Sequence, residues 1–441
     1  MEASSTQKVF SSLNGLAFKL MMLLSFTTLF QPYEPFGPVN RILVFAIIAV
    51  LLISFFLTRY HPAYWLALLA LVGLVVYNLI ISTGEFATTN DPVYLPFWFL
   101  ILMVFSENNR FINELIVKNF VFIRAITIAW CLFVGISIFF PFSYVTSWGG
   151  GMYFGSIPQS IWRLAPCACL IQTTLLICLA YDHENKNKYL LCSFVPLYCG
   201  FMGGSRTYFI VICLFFVLFL YYYSKNTSQF RLLLIVMILM GLVAIGFTGI
   251  GAKIFATQYT QNSFFDFWGT VTNGRSDIWQ SDLAYFLNAD LPKQIFGSGF
   301  DKIYEVNLSS KLGAAVYAHN DFINVLIANG VVGLALYLIP LIAMFHTFSK
   351  EYRGGKIIMF LCVLIWITNA TLNMTYTYTV AVIALAVLPR AICACDARRT
   401  PLLSVVLKNE KSSLSANQNG TTEIVRVRKF KESKGESHVS C

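Results

Sequence analysis

Mostly uncharged apolar runs of about 17 to 25 residues recur along the chain, at 13–30, 41–57, 62–82, 91–105, 119–140, 161–181, 189–203, 206–223, 231–251, 320–346, 356–372 and 376–393. This recurrence restricts the fold more than any motif. A run of that length crosses roughly 30 Å of hydrocarbon as a helix, and in lipid only a segment that closes its own backbone hydrogen bonds is stable. With 57% of 441 residues apolar, 12% charged and a mean hydropathy of +0.68, a soluble domain is excluded. The runs are too long for the roughly ten-residue strands of a membrane barrel. The expected fold is an all-α polytopic membrane protein with about 12 transmembrane helices. The runs 91–105 and 189–203 are short, so eleven is the alternative count.

Basic residues near span ends are retained on the cytoplasmic side. Lys8, Arg59, Arg110, Lys118, Lys186, Lys188, Lys225, Arg231, Lys350, Arg353, Lys356 and Arg390 fall at every second boundary, whereas 83–90, 141–160 and 372–376 hold no Lys or Arg. Both termini are therefore expected inside, and the one long loop, 252–318, outside. Lys19 and Arg124 lie near inner ends of spans, where snorkelling accounts for them. The expected organisation is a bundle of nine spans over 1–251, an outer loop with an amphipathic helix over 252–318, three spans over 319–395, and a disordered basic cytoplasmic tail over 396–441.

The net charge of +10 sits mostly in inner loops and the tail, so topology explains it without a nucleic acid partner. The tail suits either solubilisation or attraction to anionic lipid. Most of the eleven cysteines fall inside the runs and none in 252–318, which excludes a disulfide-stapled exterior; Cys393 and Cys395 make too small a cluster for a metal. No Asp or Glu lies within the body of a span and no inverted repeat is visible, both of which weigh against an ion-coupled transporter.

Chemistry-bearing residues gather instead at the expected outer face. Arg206 follows Gly203-Gly204-Ser205 in a hairpin too short to hold it anywhere but the interface, against the positive-inside tendency. Its partner is either a loop carboxylate or an anionic headgroup or pyrophosphate, to which a guanidinium bonds in bidentate fashion. Arg275 opens an amphipathic helix with Trp279, Leu283, Phe286 and Leu287 at helical spacing, started by a Gly turn and a Ser or Asp cap; Asp277 or Asp282 is the bland partner for it. Phe296-Gly297-Ser298-Gly299-Phe300 reads as a tight re-entry turn, its glycines wrongly spaced for a nucleotide loop. His319 is the only one of five histidines on this face. It is either an interfacial, cap-like residue or a base. Asn320 and Asp321 beside it can orient the imidazole or cap the span, and Gly330 with Gly333 allows close packing behind it.

In order and spacing these residues resemble the bacterial O-antigen polymerase and O-antigen ligase family over roughly 200–340. The likeness is carried by Ser205-Arg206, Gly274-Arg275 with Ile278-Trp279, the 296–300 turn, and His319-Asn320 followed by Gly330-Val331-Val332-Gly333. One departure stands before the sixth run: where the family often has a basic residue, Gly and Pro-Asn, this chain reads Gly155-Ser156-Ile157-Pro158-Gln159, and its basic residue, Arg163, follows.

The resemblance implies a GT-C-like architecture in a bacterial inner membrane. It further implies glycosyl transfer from an undecaprenyl-pyrophosphate-linked glycan on the periplasmic face, with no cofactor and no metal. On that reading Arg206, Arg275 and Arg163 hold the pyrophosphate, His319 is the general base, and Asn320, Asp321 and Gly330 support it. The acceptor is another lipid-linked repeat for a polymerase or lipid A-core for a ligase, with membrane lipid, a chain-length regulator and a flippase as further partners. The polymerase is the first expectation, the ligase the second. From another class, a permease or flippase is the remaining alternative.

Overall fold

In the computed structural model the described residues are 5–57, 61–82, 91–107, 109–147, 151–203, 205–247, 275–310, 313, 315–352 and 354–418. They form sixteen α-helices, and each of the twelve apolar runs overlaps one. In chain order these are α1 (Ser5–Phe30), α2 (Phe36–Leu57), α3 (Pro62–Ile81), α4 (Asp91–Glu107), α5 (Asn109–Lys118), α6 (Phe120–Ser137), α7 (Leu164–Tyr181), α8 (Lys186–Met202), α9 (Arg206–Tyr223) and α10 (Thr227–Phe247). Then follow α11 (Arg275–Asn288), α12 (Leu291–Phe296), α13 (Lys302–Ser309), α14 (Asp321–Glu351), α15 (Lys356–Leu372) and α16 (Thr379–Gln418). Six helices are long and apolar enough to cross a membrane: Phe36–Phe56, Pro62–Ile81, Phe120–Ser137, Leu164–Tyr181, Asp321–Glu351 and Thr379–Arg398. The chain is a polytopic membrane protein.

Composition decides which helices sit inside the bundle. Apolar side chains gain nothing by leaving lipid for protein, so close approach and interhelical hydrogen bonds select the partners. The α7 sequence, rich in Ala, Cys and Thr, offers both, and 94% of its window is buried. Thr174 meets Thr127 of α6 at 2.8 Å and Thr173 donates to the Ala384 carbonyl of α16 at 3.1 Å. The branched and aromatic faces of α2 and α3 stay outside, with 33% and 28% buried.

Two elements were not legible as such. Residues Tyr144–Ser147 (β1) and Gly151–Phe154 (β2) pair antiparallel, Tyr144 opposite Phe154, a small departure from an all-helical chain. Helix α5 is a further short helix between the fourth and fifth runs. The last helix continues to Gln418, past the 396 boundary at which a disordered tail is expected. Ion pairs hold the helix ends where basic residues alternate: Arg124 lies 3.2 Å from Asp182, which also accepts from Tyr189 at 2.6 Å. Buried Arg390 pairs with Glu351 and donates to the Phe105 carbonyl at 3.1 Å.

Helix α14 is broken within its length. At Gly330 the backbone turns to φ 66°, ψ −170°, and the helix resumes afterwards. The turn after α12 fills the break. Ser298 N–H donates to the Ile327 carbonyl at 2.9 Å and Gly299 N–H to the Ala328 carbonyl at 3.2 Å. A Cβ on Gly330 would lie 2.3 Å from the Ile295 carbonyl oxygen, and one on Gly297 would lie 2.2 Å from that of Ala328. The side chain of Asn78 on α3 ties both together, donating to the Phe296 carbonyl at 3.0 Å and to Asn329 at 3.2 Å.

Candidate functional site

His319 is held by its neighbours' backbone contacts. It adopts a left-handed φ of 53°, a conformation uncommon for a residue with a Cβ. Asn320 caps α14, its side chain accepting from Ile323 N–H at 3.2 Å, one of the donors that a helix start leaves unpaired. Asn324 accepts from Ala318 N–H at 3.1 Å, and Trp279 of α11 donates to the Ala318 carbonyl at 2.6 Å. Trp279 stands one turn after Arg275, so the indole that pins the 318–320 segment also fixes the helix that carries the guanidinium. Among the described residues the imidazole has no hydrogen-bond partner, so neither Asn320 nor Asp321 orients it there. Burial, and after it the charge of Arg275, push its pKa down to about 4, which leaves it neutral across the physiological range.

Asp321 acts on a second segment instead. Fully buried, it accepts from the Tyr337 hydroxyl at 3.0 Å and from Tyr376 N–H at 3.2 Å, so the 372–378 segment is fastened to the start of α14. That segment is where the outlying residues meet. Arg275 donates to the Leu372 carbonyl. Thr207, the residue after Arg206 at the start of α9, bonds to Asn373, which is tied to Asn369 at 3.0 Å. The backbone of Arg206 therefore lies beside the segment that Arg275 contacts; its side chain lies outside the described ones.

Arg163 precedes α7 and lines one cavity with Met374, Thr377 and Tyr378 of the same segment. The turn before it has left-handed φ values at Ser156 (62°) and Gln159 (53°), and Gln159 donates to the Phe142 carbonyl at 2.8 Å. Asn, which the family often has here, accepts left-handed φ more readily than Gln. Tyr378 lies within the field of both the Arg163 and the Arg275 guanidinium groups. Arg163, Tyr317 and Tyr378 line a cavity of about 360 Å³ together with Arg41 and Tyr94 from α2 and α4.

The structure thus brings His319, Arg275, Arg163 and the start of α9 around one segment. It places Asp321 and Gly330 behind them as parts of the frame. In helix α11 Ile278 and Asp282 are buried, whereas Leu283 and Leu287 are exposed. Burial also pushes the Asp282 carboxyl up to about 7, with the Asn307 side chain acting in the opposite direction. Among the described residues no three His, Cys, Asp or Glu side chains stand close enough to hold a metal ion.

Tyr378, Arg41 and the 372–378 segment carry no expectation from sequence. A signal existed for each: Thr375-Tyr376-Thr377-Tyr378 alternates polar and aromatic residues where the last apolar run begins, and Arg41 is a cation at the start of the second run.

No curated protein matches the chain. A family model does: residues 191–338, about a third of the chain's 441 residues, match the one described as O-Antigen ligase (Wzy_C). The matched stretch runs from α8 into α14 and includes Arg206, Arg275, His319 and Gly330. The chain is a multi-pass membrane protein that is similar, over residues 191–338, to the O-antigen ligase domain.

Proposed function

We propose that the chain transfers an oligosaccharide from undecaprenyl pyrophosphate to an acceptor hydroxyl at the periplasmic face of a bacterial inner membrane, through twelve spans with both termini cytoplasmic. The observation that carries this reading is the juxtaposition of His319 with Arg275 on a segment that also receives the start of α9 and lies beside Arg163. The polyprenyl tail stays in lipid. Arg275 and Arg206, with Arg163, hold the pyrophosphate at the bundle end and stabilise the charge that builds on it. His319 takes the proton from the acceptor hydroxyl as its oxygen bonds to the anomeric carbon. The bond from that carbon to the phosphate oxygen breaks, and undecaprenyl pyrophosphate leaves with the electron pair.

The depressed pKa of His319 has a use in this scheme. Without substrate the imidazole is neutral and ready, though weakly basic. The pyrophosphate anion offsets the charge of Arg275, and the imidazole becomes a stronger base when the donor is present. The reaction itself needs no cofactor.

For the acceptor, the spacing from His319 to Gly330 favours a polymerase that adds the glycan to another lipid-linked repeat, whereas the description of the matching family model favours a ligase to lipid A-core. A lipopolysaccharide gel of a deletion strain separates them, since loss of a polymerase leaves core with one repeat and loss of a ligase leaves bare core. The central test is product formation by the purified full-length chain in detergent from lipid-linked glycan. A His319→Ala chain that stays in the membrane but makes no product supports the reading. Near-normal product from it removes His319 from the chemistry, and no product from the unaltered chain favours a permease or flippase, which needs two compartments.

A further inference from the structure

The cavity lined by Tyr317 and Tyr378 contains, together with Arg163, one charge that the transfer scheme leaves unassigned, Arg41. Arg41 at the start of α2 and Arg163 before α7 both line its volume of about 360 Å³, a size near the low end of small-ligand sites, about 300–1,000 Å³. No acidic residue lines it, and among the described residues neither arginine has an ion-pair partner. Two uncompensated guanidinium groups facing one space make it attractive to an anion.

The remaining lining suits a sugar. Tyr94, Tyr317 and Tyr378 contribute aromatic walls, and Gln31 and Asn40 contribute amides. The hydroxyls of Thr27 and Thr28 both donate to Asn40 Oδ1, at 2.9 and 3.2 Å, which leaves the Asn40 amide N–H groups as donors for a ligand. Tyr317 stands two residues before His319, and Tyr378 lies in the field of Arg275, so the cavity adjoins the residues assigned to chemistry. It occupies the flank of the hub segment formed by Met374, Thr377 and Tyr378, whereas Arg275 and Thr207 take the flank at Leu372 and Asn373.

We propose that this cavity is the acceptor subsite and that it selects a sugar bearing an anionic group, a carboxylate or a phosphate, with Arg41 as its own counter-charge and Arg163, which also serves the donor pyrophosphate, as the second. The assignment of the occupant as acceptor rests on the glycosyl-transfer reading; the anion preference of the cavity does not. With the pyrophosphate on the Leu372–Asn373 flank, the acceptor hydroxyl approaches from the Tyr317–Tyr378 flank, and a fixed acid on the acceptor sets which hydroxyl faces His319.

The test is arginine footprinting of the full-length chain in lipid nanodiscs. Phenylglyoxal labelling is read at Arg41, Arg163 and Arg275 by mass spectrometry, with oligogalacturonate, neutral maltotetraose or inorganic pyrophosphate present. The expected result is that oligogalacturonate protects Arg41 and Arg163 while maltotetraose does not, and that pyrophosphate protects Arg275 and leaves Arg41 reactive. Arg41→Gln should weaken protection of Arg163 by oligogalacturonate roughly tenfold, as loss of one charge-assisted contact gives. Equal protection by maltotetraose, protection of Arg41 by pyrophosphate, or no protection by oligogalacturonate overturns the proposal. In the transfer reaction, Arg41→Gln should raise KM for the acceptor and leave that for the donor unchanged; the reverse overturns the acceptor assignment. The footprint needs no turnover, so active His319→Ala would sink the transfer scheme while leaving the anion site standing.

Discussion

Replacing Gly330 by alanine tests whether the break in α14 frames the site. The position has φ 66° and ψ −170°, a region that is nearly glycine-only and costs about 1–3 kcal/mol for other residues. The new methyl would also lie 2.3 Å from the Ile295 carbonyl oxygen and 2.6 Å from Gly297 N. Because those are backbone atoms, relief requires the 296–300 turn to withdraw. That movement breaks the hydrogen bonds from Ser298 and Gly299 to the Ile327 and Ala328 carbonyls, each worth about 1 kcal/mol net. The expected loss is about 3–5 kcal/mol. In a chain this long each kcal/mol shifts the melting temperature by about 2 °C or less, so the variant should melt roughly 5 °C lower in detergent. Gly73→Ala is the control, since nothing lies within 4 Å of a Cβ there, and helix propensity makes it neutral or stabilising by up to about 1 kcal/mol. Glycan transfer should fall with Gly330→Ala and persist with Gly73→Ala. If both variants melt and transfer alike, the docking of the turn into the break does not hold the site, and the reasoning fails.

Arg275→Lys keeps the charge but loses the planar donor set, so transfer should drop about 10- to 100-fold while detergent-extracted yield is unchanged; full activity would mean that a point charge suffices. The His319 pKa, depressed to about 4 by burial and by Arg275, puts the acid limb of kcat/KM well below pH 6, and Arg275→Gln should move that limb upward toward an ordinary histidine value. A limb that stays in place detaches it from His319. The Asp282 carboxyl, raised to about 7 by burial, lies above its unfolded value of about 3.9, so folding favours the protonated form: its contribution is complete below that unfolded value and is lost as pH rises through 7. Asp282→Asn should therefore raise the melting temperature at pH 8, by the equivalent of at most about 4 kcal/mol, and flatten its pH dependence between 4 and 7. An unchanged pH dependence shows that Asp282 is not the group responsible.

The sequence disclosed the helices and the residues of interest for different reasons. Helix-length apolar runs report directly on the solvent a segment must satisfy, and each of the twelve overlaps a helix. Arg206, Arg275 and His319 drew notice because each is a polar outlier at an apolar boundary. That Arg275, the start of α9 and Asp321 all bond to the 372–378 segment is not legible in the sequence, since two of these contacts use main-chain groups, the Leu372 carbonyl and Tyr376 N–H. Backbone groups have the same chemistry at every position, and nothing in residue type marks them. The burial of Asp282 on α11 is equally unmarked, because spacing shows an apolar stripe of Trp279, Leu283, Phe286 and Leu287 but not which polar neighbour the fold covers. The paired strands at 144–154 are short and share a segment with an apolar boundary, so alternation had little length in which to show.

The cavity that Tyr317 and Tyr378 share with Arg41 is walled largely by residues from outside the matched domain. Thr28, Gln31, Asn40, Arg41, Tyr94 and Arg163 all precede residue 191, whereas Arg206, Arg275 and His319 all follow it. A chimera joined near residue 190 would exchange one set without altering the other. Under the proposed transfer scheme, grafting a different first half would change what the site accepts and leave His319, Arg275 and Arg206 in place.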